Sequence, residues 1–140
     1  MLQQLPVTLT LKLGAIETNY PSQNTDASGY FTVSVAGLPN GTYDWRVKGP
    51  KYLANAGTVA LTGATTTSVE MGLMRVGDAN NDNVVNATDF TILKATFGKS
   101  IGDPGYDDRA DFTGERVVNA SDFALLRINF GSAGAPPLGP

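Results

Sequence analysis

Six positions in the stretch that begins at Asp78 offer oxygen toward a common point: Asp78, Asn80, Asp82, the backbone carbonyl of Val84, Asn86 and Asp89. Counted from Asp78 they are positions 1, 3, 5, 7, 9 and 12 of a twelve-residue loop, the spacing with which a tight turn directs alternate residues inward onto a hard cation. Calcium asks for about six to eight such oxygens at about 2.3–2.6 Å. Three carboxylates in one small loop repel each other when no cation lies among them. Asn83 stands where Gly is usual, and Asn is among the few residues that accept a left-handed backbone. The chain has no Cys and no His, which removes disulfides, thiolate zinc sites, thiol nucleophiles and imidazole bases together. Any metal here is held by oxygen.

The loop belongs to an internal repeat. VVNATDFTILKATFG from Val84 to Gly98 returns as VVNASDFALLRINFG from Val117 to Gly131, 33 residues later, with nine of fifteen positions identical, far beyond chance similarity. The second copy of the loop runs from Asp111 to Asp122, with Asp111, Thr113, Glu115, the Val117 carbonyl, Asn119 and Asp122 at the ligand positions. It is the poorer of the two. Thr replaces Asn, Glu replaces Asp, Arg116 takes the Gly position, and the formal charge of the loop falls from −3 to −2. Arg116 is expected at positive φ, at a cost on the order of 1 kcal/mol. The expectation is calcium in the first loop and weak or absent calcium in the second, where Arg116 either acts as a counter-charge in place of the ion or simply turns outward over an occupied site.

A helix of about ten residues follows each loop, starting at Thr88 or Ser121 before an Asp and stopping at Gly98 or Gly131, which suits the left-handed residue after a helix. Phe90, Leu93 and Phe97 share one helical face, Phe123, Leu126 and Phe130 repeat it, and the two stripes are expected to pack together. Helices this short are marginal alone in water, so something else must hold them. Ahead of the repeat the chain reads as strands. Val7 to Leu13, Tyr30 to Val35, Tyr43 to Lys48, Thr58 to Leu61 and Thr66 to Leu73 alternate or carry β-branched residues between turn signals, which points to a small antiparallel sandwich. The fold class expected is therefore α+β in two modules, a β-sandwich over 1–74 and a small all-α calcium-loop module over 75–132, with a disordered Pro/Gly/Ala-rich tail over 133–140.

Loop, helix and duplication together resemble the dockerin module of cellulosomal and other secreted bacterial proteins, over Val76 to Gly131. The N-terminal run TDASGYFTVSVAGLPNGTYDWRV, from Thr25 to Val47, is similar to the carboxypeptidase regulatory-like and transthyretin-like sandwich modules. The dockerin resemblance implies calcium, a secreted or extracellular location, and a cohesin module as partner on a scaffold or cell surface. Carried over by position, the partner-binding residues it implies are Ala87, Thr88, Lys94 and Ala95 in the first repeat, and Ala120, Ser121, Arg127 and Ile128 in the second. Thr88 and Ser121 could equally serve as helix caps.

The function expected is non-catalytic, calcium-dependent docking by the C-terminal part of a larger polypeptide. The alternatives are a carbohydrate-binding module, with Trp45, Tyr43 and Tyr52 as stacking candidates, and a self-associating structural module. An enzyme with paired carboxylates is disfavoured, because almost every Asp outside Asp26 and Asp44 lies in or near a loop. A net charge of −3 and a pI near 4.7 give no attraction for nucleic acid or an anionic membrane. The apolar runs are only strand-sized, so insertion into a bilayer is not expected.

Overall fold

The computed structural model describes residues 5–138. Along the chain run β1 (Pro6–Leu13), β2 (Ile16–Asn24), β3 (Gly41–Lys48), β4 (Lys51–Tyr52), β5 (Asn55–Leu61), β6 (Val76–Asp78), α1 (Ala87–Thr96), a 3-10 turn (Asp108–Ala110) and α2 (Ala120–Asn129). The N-terminal part is β-rich and the C-terminal part carries the two helices, an α+β chain. Its contacts form two units, neither of them one continuous stretch. Within the described residues, a sheet unit takes 5–48, 54–73 and 135–138, and a loop–helix unit takes Gly49–Leu53 and Met74–Gly134.

The sheet unit is built on one antiparallel sheet in the order β2-β1-β3-β5. Alternation in β1 and β3 places Val7, Leu9, Leu11, Tyr43, Trp45 and Val47 in the interior, because successive side chains of a strand point to opposite faces. The register sets Leu9 opposite Val47 and Leu11 opposite Trp45, so the large apolar side chains meet in cross-strand pairs. Trp45 in turn lies opposite Gly57 of β5. A Cβ on Gly57 would stand 2.7 Å from Trp45 Cζ2, so the indole covers the space that glycine leaves.

Two expected strands are absent from the ladders. Residues 30–35 and 66–73 pair with no strand, although Phe31, Val33 and Val35 remain less exposed than the residues between them. The period-two burial is there, but the hydrogen bonds run elsewhere. The Tyr20 hydroxyl donates to the Ser34 carbonyl at 2.8 Å, and the Asn55 side-chain amide donates to the carbonyls of Met71 and Leu73 at 2.9 and 3.1 Å. In exchange, β2, a strand unmarked in the sequence reading, borders β1 through a tight turn that uses Gly14 at φ 59°.

In the loop–helix unit the buried core is Leu53, Val76, Ala79, Val85, Leu93, Ala110, Phe112, Val118 and Leu126. Each helix contributes one leucine. The phenylalanine stripes stay nearer the surface: Phe90 and Phe123 meet with ring centroids 5.7 Å apart, while Phe97 and Phe130 are half exposed. The interior is filled instead from the loops and from Leu53, which follows strand β4 and whose backbone N–H donates to Arg75 O at 2.7 Å, next to the pairing of β4 with β6.

The repeats clasp each other reciprocally. Gly98, just past α1, donates to Val118 O at 2.7 Å, and Gly131, just past α2, donates to Val85 O at 2.8 Å. Val118 N reaches Lys99 O as Val85 N reaches Ser132 O, and Ile101 N reaches Arg116 O as Gly134 N reaches Asn83 O. Every member of the first set has its counterpart 33 residues away. Each loop exit is thus held by the segment that follows the other helix. This answers what holds two short helices, and it gives Ala133 and Gly134 fixed partners where a disordered tail was expected. Ala135, in the sheet unit, likewise donates to Ala54 O at 2.9 Å and accepts from Arg46 Nε at 3.0 Å.

Candidate metal centre

Both helices start two residues before the loops end, at Ala87 and Ala120, so the loop and the helix cap are one device. The side chain of Asn86 accepts from Thr88 N at 3.0 Å, and the Asp89 carboxylate accepts from Asn86 N at 2.9 Å, a reciprocal capping box. Asn119, Ser121 and Asp122 repeat it. The caps are therefore the asparagines at loop position 9, and Thr88 and Ser121 lie inside the first helical turn, exposed. Capping by Asn satisfies helix N–H groups that have no partner within the helix. Gly98 and Gly131 follow the helices at φ 83° and 86°, as expected.

In the first loop the chain is wound about its carboxylates. Asp78 accepts from Asp82 N at 2.9 Å and Asn83 N at 2.7 Å, Asp82 accepts from Val84 N at 3.0 Å, and Asp89 accepts from Asn80 N at 3.1 Å. Asn81 and Asn83 hold φ of 62° and 68°, the left-handed backbone that asparagine tolerates. The winding gathers Asp78, Asp82 and Asp89, each offering an oxygen within 4.8 Å of the others. Asp78 and Asp89 are fully buried and Asp82 is exposed. Burial, and after it the neighbouring charges of Asp78 and Asp82, push the Asp89 carboxyl above its ordinary range, against the backbone N–H groups of Asn86 and Asn80 that pull it down. Removal from water and like-charge crowding both disfavour the ionised form. An all-oxygen set of this charge suits a hard divalent ion, and the residues fit one.

The second loop has the same winding and a different interior. Gly114 and Arg116 repeat the positive φ, at 76° and 69°. Asp111 and Asp122 are buried, but hydroxyls now stand among the carboxylates. Tyr106 Oη donates to Asp111 Oδ2 at 3.0 Å, and Thr113 Oγ1 lies 3.3 Å from Asp111 Oδ1 and 3.2 Å from Asp122 Oδ1. Burial, and after it this hydrogen bond, push the Tyr106 phenol well above its ordinary range. Glu115 is exposed, and its carboxylate accepts from Asn119 Nδ2 at 3.0 Å. Arg116 is exposed as well and takes part in neither of the ion pairs found among the described residues, Lys51–Asp108 and Arg109–Asp107. Its side chain is turned outward. The sequence reading overlooked Tyr106, which lies outside the repeat, and Lys51, whose ammonium is 3.3 Å from Asp111 O and 2.9 Å from Asp108 Oδ2.

Ala87, Thr88, Lys94, Ala95, Ala120, Ser121, Arg127 and Ile128 are all exposed. Ile128 is 76 % exposed, a large apolar side chain with most of its surface in water, and Phe90, Phe123, Leu126, Arg127 and Phe130 line an open cleft nearby on the helices. Trp45 and Tyr43, the leading candidates for sugar stacking, are buried at 5 and 1 % exposure. Their faces are committed to the sheet core, and the carbohydrate reading loses both.

Fold and site together define a duplicated loop–helix unit with an acidic, oxygen-only cluster in its first loop that could hold a metal ion. Residues 76–130 match the family model of the dockerin type I domain. Two crystal structures of type II cohesin–X–dockerin complexes from Acetivibrio cellulolyticus, a C-terminal and an N-terminal interface mutant, share the fold. Each is 23 % identical over 91 % of this chain and 83 % of theirs, with TM-scores of 0.67 and 0.68. A type II cohesin–dockerin domain from Bacteroides cellolosolvens is 35 % identical over 43 % of this chain and 90 % of that one, with a TM-score of 0.37. No curated protein matches the chain. Among the described residues, no helix is long and apolar enough to cross a membrane.

Proposed function

We propose that the chain is a non-catalytic, calcium-dependent docking module of a secreted protein, and that it binds a cohesin-type module on a scaffold or cell surface. The observation that carries the reading is the match of residues 76–130 to the dockerin type I domain, on a stretch whose first loop gathers three carboxylates around one point. Asp78, Asn80, Asp82, Asn86, Asp89 and the Val84 carbonyl are the proposed ligands. Calcium bound there supplies the positive charge that two buried carboxylates otherwise lack. The second loop, from Asp111 to Asp122, is read as weak or empty.

The proposed docking face is the exposed set Ala87, Thr88, Lys94, Ala95, Ala120, Ser121, Arg127 and Ile128. It leaves the buried leucines of α1 and α2 free to hold the unit together, so affinity and stability rest on different residues. Residues 1–74 are read as a carboxypeptidase regulatory-like β-sandwich that spaces or supports the docking unit, and the alternating burial of Phe31, Val33 and Val35 supports a second layer over the sheet. Docking by this chain is compatible with a catalytic domain elsewhere in the same polypeptide.

The test is calorimetric titration of the whole chain with purified type I and type II cohesins, first in calcium and then in chelator. Binding that is present in calcium and lost in chelator is expected, weakened by Ile128→Glu and by paired changes at Thr88 and Ser121. Failure to bind either cohesin type in calcium sinks the proposal.

A further inference from the structure

We propose that calcium operates only the first loop, and that the protein closes the second by itself through Tyr106, Thr113 and Lys51. The inference rests on the reading of the first loop as an ion site. It concerns what the second repeat does instead.

Both oxygens of the buried Asp111 carboxylate have protein donors: Oδ1 accepts from Gly114 N at 3.0 Å with Thr113 Oγ1 at 3.3 Å, and Oδ2 accepts from Arg116 N at 2.8 Å and Tyr106 Oη at 3.0 Å. Asp122 accepts from Thr113 N at 3.0 Å and Asn119 N at 2.9 Å. The Thr113 hydroxyl bridges the two carboxylates, within 3.3 Å of an oxygen of each. Glu115 and Asn119, the remaining side-chain ligand positions, are bonded to each other. The backbone N–H groups that hold these carboxylates have counterparts in the first loop; what differs is the hydroxyls of Tyr106 and Thr113 beside them and the bond between Glu115 and Asn119, and on these the second loop fits an ion less well than the first.

Two of the closing groups come from outside the loop. Tyr106 corresponds to Leu73 in the first repeat, which has no hydroxyl to offer, and Thr113 corresponds to Asn80. Lys51, on the short strand β4, fixes a positive charge beside the loop's first carbonyl and Asp108. The reciprocal clasp gives this closure a consequence. The segment leaving α1 is held by Val118 and Arg116 of the second loop, so a loop that stays wound without calcium keeps the C-terminal end of α1 anchored when calcium is withdrawn. Calcium then acts on one side of the unit, at the loop that starts α1, and the other side is permanent.

The experiment is calcium titration of the intact apo chain by calorimetry, paired with backbone amide exchange in calcium and in chelator. One ion per chain is expected. Chelation should strip protection from amides 79–86 and leave 112–119 unchanged, and Tyr106→Phe should lower protection at 112–119 by about tenfold, as loss of a charge-assisted hydrogen bond does, equally with and without calcium. Two ions per chain, or protection at 112–119 falling together with 79–86 in wild-type protein, overturns this inference and leaves the first-loop reading standing. Uptake of no ion overturns both. The wild-type measurements decide the matter even where the variant folds poorly.

Discussion

At the scale of single residues, two positions show how much backbone and packing constrain this sequence. Gly57 is glycine because Trp45 occupies the place of its Cβ, at 2.7 Å. Gly57→Ala must displace a buried indole whose Nε1 donates to Thr58 O at 3.3 Å, and overpacking of this kind costs about 1–3 kcal/mol; a chemical denaturation midpoint followed by Trp45 fluorescence measures it. Arg116 is the opposite case, a branched cation in a left-handed conformation at φ 69° with its side chain in water. Arg116→Asn keeps the conformation and relieves strain on the order of 1 kcal/mol, so the melting temperature in chelator should rise. A fall would mean that the guanidinium serves as a counter-charge after all. The spacing of Asp78, Asp82 and Asp89 was readable because all three carboxylates lie in one short stretch. Tyr106 was not, since nothing local to a tyrosine five residues before Asp111 tells that its hydroxyl turns back onto that carboxylate.

Among the elements, legibility followed the range of the interactions. The helices α1 and α2 showed in the sequence because their periodicity and the glycines that end them are local, although the caps fell on Asn86 and Asn119 rather than on Thr88 and Ser121. The strands β1, β3 and β5 showed by alternation. Residues 30–35 alternate just as well and form no ladder, for alternation reports burial of one face and not hydrogen-bonded pairing. Strand β2, with Pro21 and mostly polar residues on a sheet edge, carries almost no signal. The segment 49–53 is the hardest case, because its place in the loop–helix core depends on contacts with residues far along the chain. Leu53→Ala tests that placement: a fully buried leucine lost from the core costs about 2–5 kcal/mol, and the loss should appear in the helical signal at 222 nm. The 3-10 turn gives a pH prediction. The Arg109 guanidinium, 2.7 Å from Asp107, holds that carboxyl below its ordinary range. A carboxylate whose folded pKa is depressed stabilises above its unfolded pKa and loses that contribution as pH falls through the lower folded value. Arg109→Gln should flatten the acid limb of stability below about pH 4 by a few tenths of a kcal/mol, the scale of an exposed pair.

For the whole molecule, the division into two units supplies two independent probes. The single tryptophan, Trp45, is buried in the sheet unit, whereas α1 and α2, and so nearly all the helicity, belong to the loop–helix unit. An ion that binds only the folded form stabilises it by RT ln(1 + [L]/Kd), about 2.7 kcal/mol at a hundredfold excess over Kd. That gain is confined to the unit that contains the first loop. Thermal unfolding should therefore show two transitions, with the circular dichroism midpoint dropping several degrees in chelator and the Trp45 fluorescence midpoint staying in place, since coincident transitions are the mark of a single cooperative unit. If both midpoints fall together, calcium stabilises the chain as one cooperative body. If neither moves, the carboxylates around Asp78 hold no calcium that matters to folding, and calcium-dependent docking loses its physical basis.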